Sequence, residues 1–222
     1  MLEFIEVETA PHPTIAVIWL HGLGADGNDF VPMVRELALT GCPPIRFIFP
    51  HAETMRVTVN NGYVMRAWYD ILGADLTRRE DEAGLRKSQA AIEELIAAQN
   101  ARGIPSDRIM LAGFSQGCAM ALQTGLRYPE KLAGLLCLSG YLPLADALAA
   151  ERSEANRSLP IFLAHGNSDP IVPIDRATAT REVLQALGYA VEWHVYPMPH
   201  SVCPEEIMDI STWMNQVIKG HN

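Results

Sequence analysis

The chain is 222 residues long, 49% hydrophobic and 19% charged, with a formal net charge of -9. That length is enough for one sizeable core, a single domain spanning residues 1–222, and the composition is globular rather than disordered or fibrous. The negative balance argues against nucleic acid and anionic membrane surfaces as general partners. The N-terminal stretch MLEFIEVETA is acidic where a signal peptide is basic, and no apolar run reaches membrane-spanning length. A cytoplasmic protein without stable membrane insertion is therefore expected. Four cysteines lack C-x-x-C pairing, and Cys118 and Cys137 sit inside apolar runs, which fits a reduced compartment. The first strand is expected over Ile15–Leu20. Gly22, Gly24 and Gly27 follow at G-x-G-x-x-G spacing, and Asn28 or Asp29 is placed to cap a helix running through Phe30, Val34 and Leu37. A strand over Ile45–Phe49 precedes an excursion from Pro50 to Asp75, unusually long for a connection. Leu85, Ile92, Leu95 and Ile96 recur at helical spacing in a segment from Arg79 that closes at Gly103. The strand Ile109–Ala112, the helix Gln116–Arg127 and the strand Gly134–Leu138 come next, then a second excursion from Asp146 to Ser158. The chain ends with the strand Ile161–Ala164, a helix Asp175–Leu187 with Asp175 as its N-cap, the strand Val191–Tyr196 and the helix Pro204–Lys219.

Short β-rich runs alternating with longer helical patterns imply an α/β fold, a mostly parallel sheet covered on both faces. In such sheets the ligand site lies at the carboxyl ends of the strands. After Ile109–Ala112 comes GFSQG, Gly113 to Gly117, which matches the G-x-S-x-G turn that holds a nucleophilic serine between strand and helix. Ser115 is thus the candidate nucleophile, against the plainer reading of a turn serine. After Ile161–Ala164, HGNSDP places Asp169 in a strand-end loop, and after Val191–Tyr196, PMPHS places His200 in the next. The order Ser, Asp, His is the one this turn requires, and His200 is the histidine that satisfies both order and placement. Asp175 is the rival acid. HGLG after the first strand fits an oxyanion loop, with the backbone N–H groups of Leu23 and Gln116 as donors. The competing reading of the glycines as a dinucleotide fingerprint lacks an acidic residue at the end of Ile45–Phe49, and Asp26 would oppose a pyrophosphate. There is no H-E-x-x-H, and cysteines and histidines lack metal-ligand spacing, so metal catalysis is not expected. Within the first excursion, Val64, Met65, Trp68, Tyr69, Ile71 and Leu72 form an apolar group that either covers an acyl chain or packs the loop onto the core. Met65, Trp68 and Leu72 are the substrate-binding candidates.

The segments WLHGLGADGNDF, FPHAETMRVTVNNGYVMRAWYDI, GFSQGCAMAL, SGYLPL, HGNSDPIVP and MPHSVCPEEI, in that order, resemble the carboxylesterases related to acyl-protein thioesterases and lysophospholipases. The resemblance implies an α/β-hydrolase fold with three α/β/α layers, a triad of Ser115, Asp169 and His200, and oxyanion donors at Leu23 and Gln116. It also implies cofactor-free hydrolysis of carboxylic esters, acyl thioesters or lysophospholipids, the substrate being a small molecule, a lipid or an acylated protein. NNGYVMRAWYDI is similar to the family's lid-like stretch beside the acyl groove. A monomer or homodimer is expected. Two other classes compete: a catalytically inactive relative that binds a ligand or partner through the same groove, and a nucleotide-binding oxidoreductase.

Overall fold

The computed structural model describes residues 1–73 and 80–220. Ala74 and Asp75, the end of the first excursion, and Arg79, the start of the expected long helix, lie outside the described residues. Nine strands are described: β1 (Phe4–Glu8), β2 (Ile15–Leu20), β3 (Ile45–Pro50), β4 (Thr54–Val57), β5 (Tyr63–Arg66), β6 (Ile109–Phe114), β7 (Gly134–Leu138), β8 (Ile161–Gly166) and β9 (Val191–Tyr196). The described helices are α1 (Met33–Glu36), α2 (Glu82–Ala101), α3 (Gln116–Gly125), α4 (Ala145–Glu151), α5 (Ile174–Ala186) and α6 (Pro204–Lys219). Seven strands form one sheet in the order β1-β3-β2-β6-β7-β8-β9. β1 runs antiparallel to β3, and the remaining pairs are parallel.

Every residue of β2, β3, β7 and β8 is buried, as a sheet covered on both faces demands. Alternation sends Ala16, Ile18 and Leu20 into one apolar cluster with residues of α2, α3, α4 and α5. Ile15, Val17 and Trp19 enter the other, with residues of α1 and α6. The three expected layers are present.

Local departures have identifiable causes. The helix expected from Asn28 or Asp29 is a series of turns ending in the single turn of α1. Asp26 accepts the Asn28 N–H and the Asn28 side-chain amide, folding the chain back locally, and Pro32 precedes α1 without a capping side chain. Phe30, Met33 and Leu37 still reach the core. Asp175 does not cap α5: Pro173 occupies the cap position, and Asp175 lies in the first turn. The first excursion contains an antiparallel hairpin, β4 with β5, and the second contains α4. β1 is an edge strand that the pattern of its residues did not announce.

Candidate active site

Phe114 ends the run that β6 pairs with β7, and Ser115 follows with φ 56° and ψ -117°, a left-handed conformation that L residues avoid. The strain is held by crowding on every side. A Cβ on Gly113 would lie 2.2 Å from the Gly117 carbonyl oxygen, and one on Gly117 would lie 2.1 Å from that of Leu20. Glycine is required at both places because backbone passes against backbone. The Ser115 N–H donates to the Leu138 carbonyl at 2.9 Å, and Gly140 runs alongside, where a Cβ would meet the Ser115 carbonyl oxygen at 2.7 Å. Ser115 thus stands at the carboxyl end of β6, at the start of α3.

Gln116, the first residue of α3, has an N–H with no partner inside the helix, at the positive end of the helix dipole. Its buried carboxamide does separate work: Oε1 accepts the Trp68 N–H at 2.8 Å, and Nε2 donates to the Tyr69 carbonyl at 2.8 Å. Trp68 donates its indole N–H to the His21 carbonyl at 2.9 Å.

The HGLG loop is held as firmly. His21 is buried, its Nδ1 donates to the Gly22 carbonyl at 2.7 Å, and its Nε2 accepts the Ala52 N–H at 3.0 Å. Accepting at Nε2 requires a neutral ring, and burial drives the pKa of His21 down to about 4. Gly24, at φ 77°, donates its N–H to the Arg66 carbonyl at 2.9 Å, which ties the loop to β5. A Cβ on Gly27 would lie 2.3 Å from the Phe49 carbonyl oxygen, and its N–H donates to His51 Nδ1 at 3.1 Å. The amides of Gly24 and Gly27 are therefore spent inside the protein, not presented as a pyrophosphate cradle.

Asp169 and His200 meet at the ends of β8 and β9. Asp169 Oδ2 lies 2.6 Å from His200 Nδ1, while Oδ1 accepts the N–H groups of Ile171 and Val172 at 2.8 and 2.9 Å. Buried His165 adds an Nε2 2.7 Å from the Val172 carbonyl and 3.4 Å from Asp169 Oδ2. The loop bearing His200 packs so closely that a Cβ on Gly166 would lie 2.3 Å from the Met198 carbonyl oxygen, which also accepts from Ser168 Oγ at 3.1 Å. The His200 ring tilts against Phe114, the residue before Ser115, with centroids 4.7 Å apart. Asp175 is exposed on α5.

Beside Ser115 opens a groove of about 450 Å³, lined mainly by apolar residues that include Leu23, Val59, Ile71, Ile171 and Val172. Ser115, Gln116, Tyr69 and Tyr141 also face it. Its size is typical of a site for a small ligand. Met65, Trp68 and Leu72 are not among its lining residues. Trp68 is buried behind it by the hydrogen bonds above, the Met65 sulfur accepts from Asn60 Nδ2 at 3.4 Å, and Leu72 is exposed. Nothing in the sequence pattern pointed to Val59, Tyr141 or Pro170–Pro173 as groove residues, because they are gathered from three distant segments.

Residues 2–218 match the phospholipase/carboxylesterase family model. The chain belongs to that family. It is 42% identical to acyl-protein thioesterase 1 of Neurospora crassa over 91% of this chain and 86% of that one. It is 41% identical to acyl-protein thioesterase 1 of Mycosarcoma maydis over 93% and 92% of the two chains. The crystal structure of Zea mays acyl-protein thioesterase 2 superposes with a TM-score of 0.85 at 27% identity, covering 98% of this chain and all of the other (100%). The fold is the α/β-hydrolase fold, and the chain is an ester-cleaving serine hydrolase. That membership overturns the oxidoreductase reading of the glycines. Among the described residues no helix is long and apolar enough to cross a membrane.

Proposed function

We propose that Ser115, His200 and Asp169 form the catalytic triad of a single-domain cytoplasmic thioesterase and esterase, with the N–H groups of Leu23 and Gln116 as the oxyanion hole. The contact at 2.6 Å between Asp169 and His200, on loops adjoining the strained serine, carries the proposal. His200 Nε2 takes the proton of Ser115 Oγ as the oxygen attacks the acyl carbon. The tetrahedral oxyanion receives the two N–H groups, and its collapse releases the thiol or alcohol with the proton from His200. Water, deprotonated by His200, then cleaves the acyl-serine ester and regenerates the free hydroxyl. Asp169 fixes Nδ1–H toward itself and stabilises the imidazolium formed in each half-reaction.

The groove takes the acyl chain, since its apolar lining adjoins the nucleophile. Acylated proteins and single lipids are the substrate classes that suit such a groove, the first in line with the names of the fungal relatives. The test is reaction with a fluorophosphonate followed by peptide mass analysis, alongside turnover of acyl thioesters. Modification of Ser115 and its loss in Ser115→Ala, with turnover falling by orders of magnitude, are expected. Turnover of Ser115→Ala within tenfold of the parent refutes the triad, and an unlabelled, inactive parent favours the binding-protein reading.

A further inference from the structure

Tyr141 lines the groove. Its ring is buried, and its hydroxyl lies 2.8 Å from that of Tyr69, itself buried in the groove wall. Tyr141 also lines a second hollow of about 100 Å³, between α4 and α5, with Leu142, Ala145, Ala179, Thr180, Val183 and the charged Arg176. Tyr141 therefore belongs to the walls of both spaces, a partition shared between them.

We propose that Tyr141, braced by Tyr69, is the specificity-determining residue that sets the longest acyl chain the groove accepts. The inference rests on the catalytic reading above, which fixes the acyl carbonyl at Ser115 and directs the chain along the groove. Two features make the partition resist the chain. Its backbone is fixed relative to the nucleophile: Gly140 packs against the Ser115 carbonyl, and the Leu142 N–H donates to Thr180 Oγ1 on α5 at 2.8 Å. Among the described residues, its hydroxyl has that of Tyr69 as its hydrogen-bond partner. A methylene driven between the two hydroxyls separates two buried hydrogen-bond partners, a penalty larger than the gain from burying that methylene. Burial raises the pKa of both hydroxyls, that of Tyr141 to about 12, so the pair stays neutral and intact across the working pH range. Chains that fit short of the pair bind without loss, and longer ones meet both steric and polar resistance, although the hollow behind has room for their ends.

The experiment measures kcat/KM for p-nitrophenyl esters of graded length, from butyrate to palmitate, below their micelle concentrations. Tyr141→Ala joins groove and hollow, so the length at which kcat/KM falls should move outward by at least one two-carbon step. Roughly tenfold or more should be gained for the first ester beyond the parental limit, relative to butyrate. Tyr141→Phe keeps the ring and removes the brace, and a smaller shift in the same direction is expected. Val183→Phe fills the hollow from its far wall. Alone it should leave the length profile as it is, and combined with Tyr141→Ala it should restore the shorter limit. A folded Tyr141→Ala with the parental limit overturns the proposal, as does a Val183→Phe combination that fails to reverse the shift. If Tyr141→Ala does not fold, Tyr141→Leu, which vacates the hydroxyl and outer ring, carries the same expectation and the same refutation. Ser115→Ala in the same assay separates the two levels: turnover there within tenfold of the parent overturns the catalytic reading and this inference together.

Discussion

Replacing Gln116 by alanine removes a carboxamide that holds two consecutive backbone groups, the Trp68 N–H and the Tyr69 carbonyl, each at 2.8 Å. Trp68 and Tyr69 are each 3% exposed, so water does not replace the lost partner without rearrangement. Each orphaned buried group costs about 1–3 kcal/mol, giving about 2–6 kcal/mol for the pair. For a chain of this size that corresponds to a fall in melting temperature of roughly 4–24 °C. The backbone N–H of residue 116 is untouched, so the proposed oxyanion donor survives. Measured well below its own melting temperature, the variant should lose less in kcat than the hundred- to thousandfold, roughly, of a deleted donor, and more in kcat/KM for long acyl chains, because the wall carrying Tyr69 loosens. Differential scanning calorimetry and a two-substrate comparison read both effects. A melting temperature within about 2 °C of the parent, set against the 2–4 °C expected per kcal/mol, would refute the clamp.

Asp169→Asn should lower kcat by about ten-thousandfold through the wrong imidazole tautomer. Asp175→Asn, exposed in the first turn of α5, should leave kcat within about twofold and stability within about 0.5 kcal/mol, as surface substitutions do; the reverse ranking in steady-state kinetics moves the acid to Asp175. Leu23→Ala should retain most activity, while Leu23→Pro removes the N–H and should cost on the order of a hundred- to a thousandfold in kcat with little change in KM. A folded proline variant with parental kcat removes Leu23 from the oxyanion hole. His21, with its folded pKa near 4 against an ordinary value of 6.5, is protonated first in the unfolded chain. Stability should therefore fall as pH drops from about 6.5 to about 4 and level off below, the His21 share being about 3 kcal/mol. Urea titrations of the parent and His21→Gln check this, and equal slopes in that window would show that His21 is not the group responsible.

The parts of the fold legible in the sequence were those where a local pattern coincides with a tertiary demand. β2, β7 and β9 begin and end where the runs of apolar residues do, and α6 spans the expected Pro204–Lys219. β1 was not legible because FIEVE is half exposed at the sheet edge and its register is set by β3, far along the chain. The hairpin of β4 and β5 was hidden for the same reason: its four-residue strands pair only with each other and show no clean alternation. At the site, the turn around Ser115 and the loops bearing Asp169 and His200 were visible because each follows a strand directly. The groove was not. Apolar residues in one excursion say nothing about which way each side chain points, and Trp68 turns inward because its peptide and indole N–H groups find partners on α3 and after β2. Asn28 and Asp175 are capable caps whose places were taken by an Asp26-centred turn and by Pro173.

Both long walls of the groove are tied to groups that the proposed chemistry needs. The hairpin wall is bonded through Arg66 to Gly24 of the HGLG loop, and the wall of Pro170–Pro173 takes its shape from the amides that Asp169 accepts. A lineage that altered substrate preference by reshaping either wall would disturb the oxyanion loop or the acid at the same stroke, so sequence drift there is constrained by turnover itself. The Tyr141 end is tied instead, through Tyr69, to the side chain of Gln116, which is not itself the proposed oxyanion donor. Diversification of chain-length preference among descendants of this scaffold should therefore accumulate at that end, leaving the two walls nearly as invariant as the nucleophile.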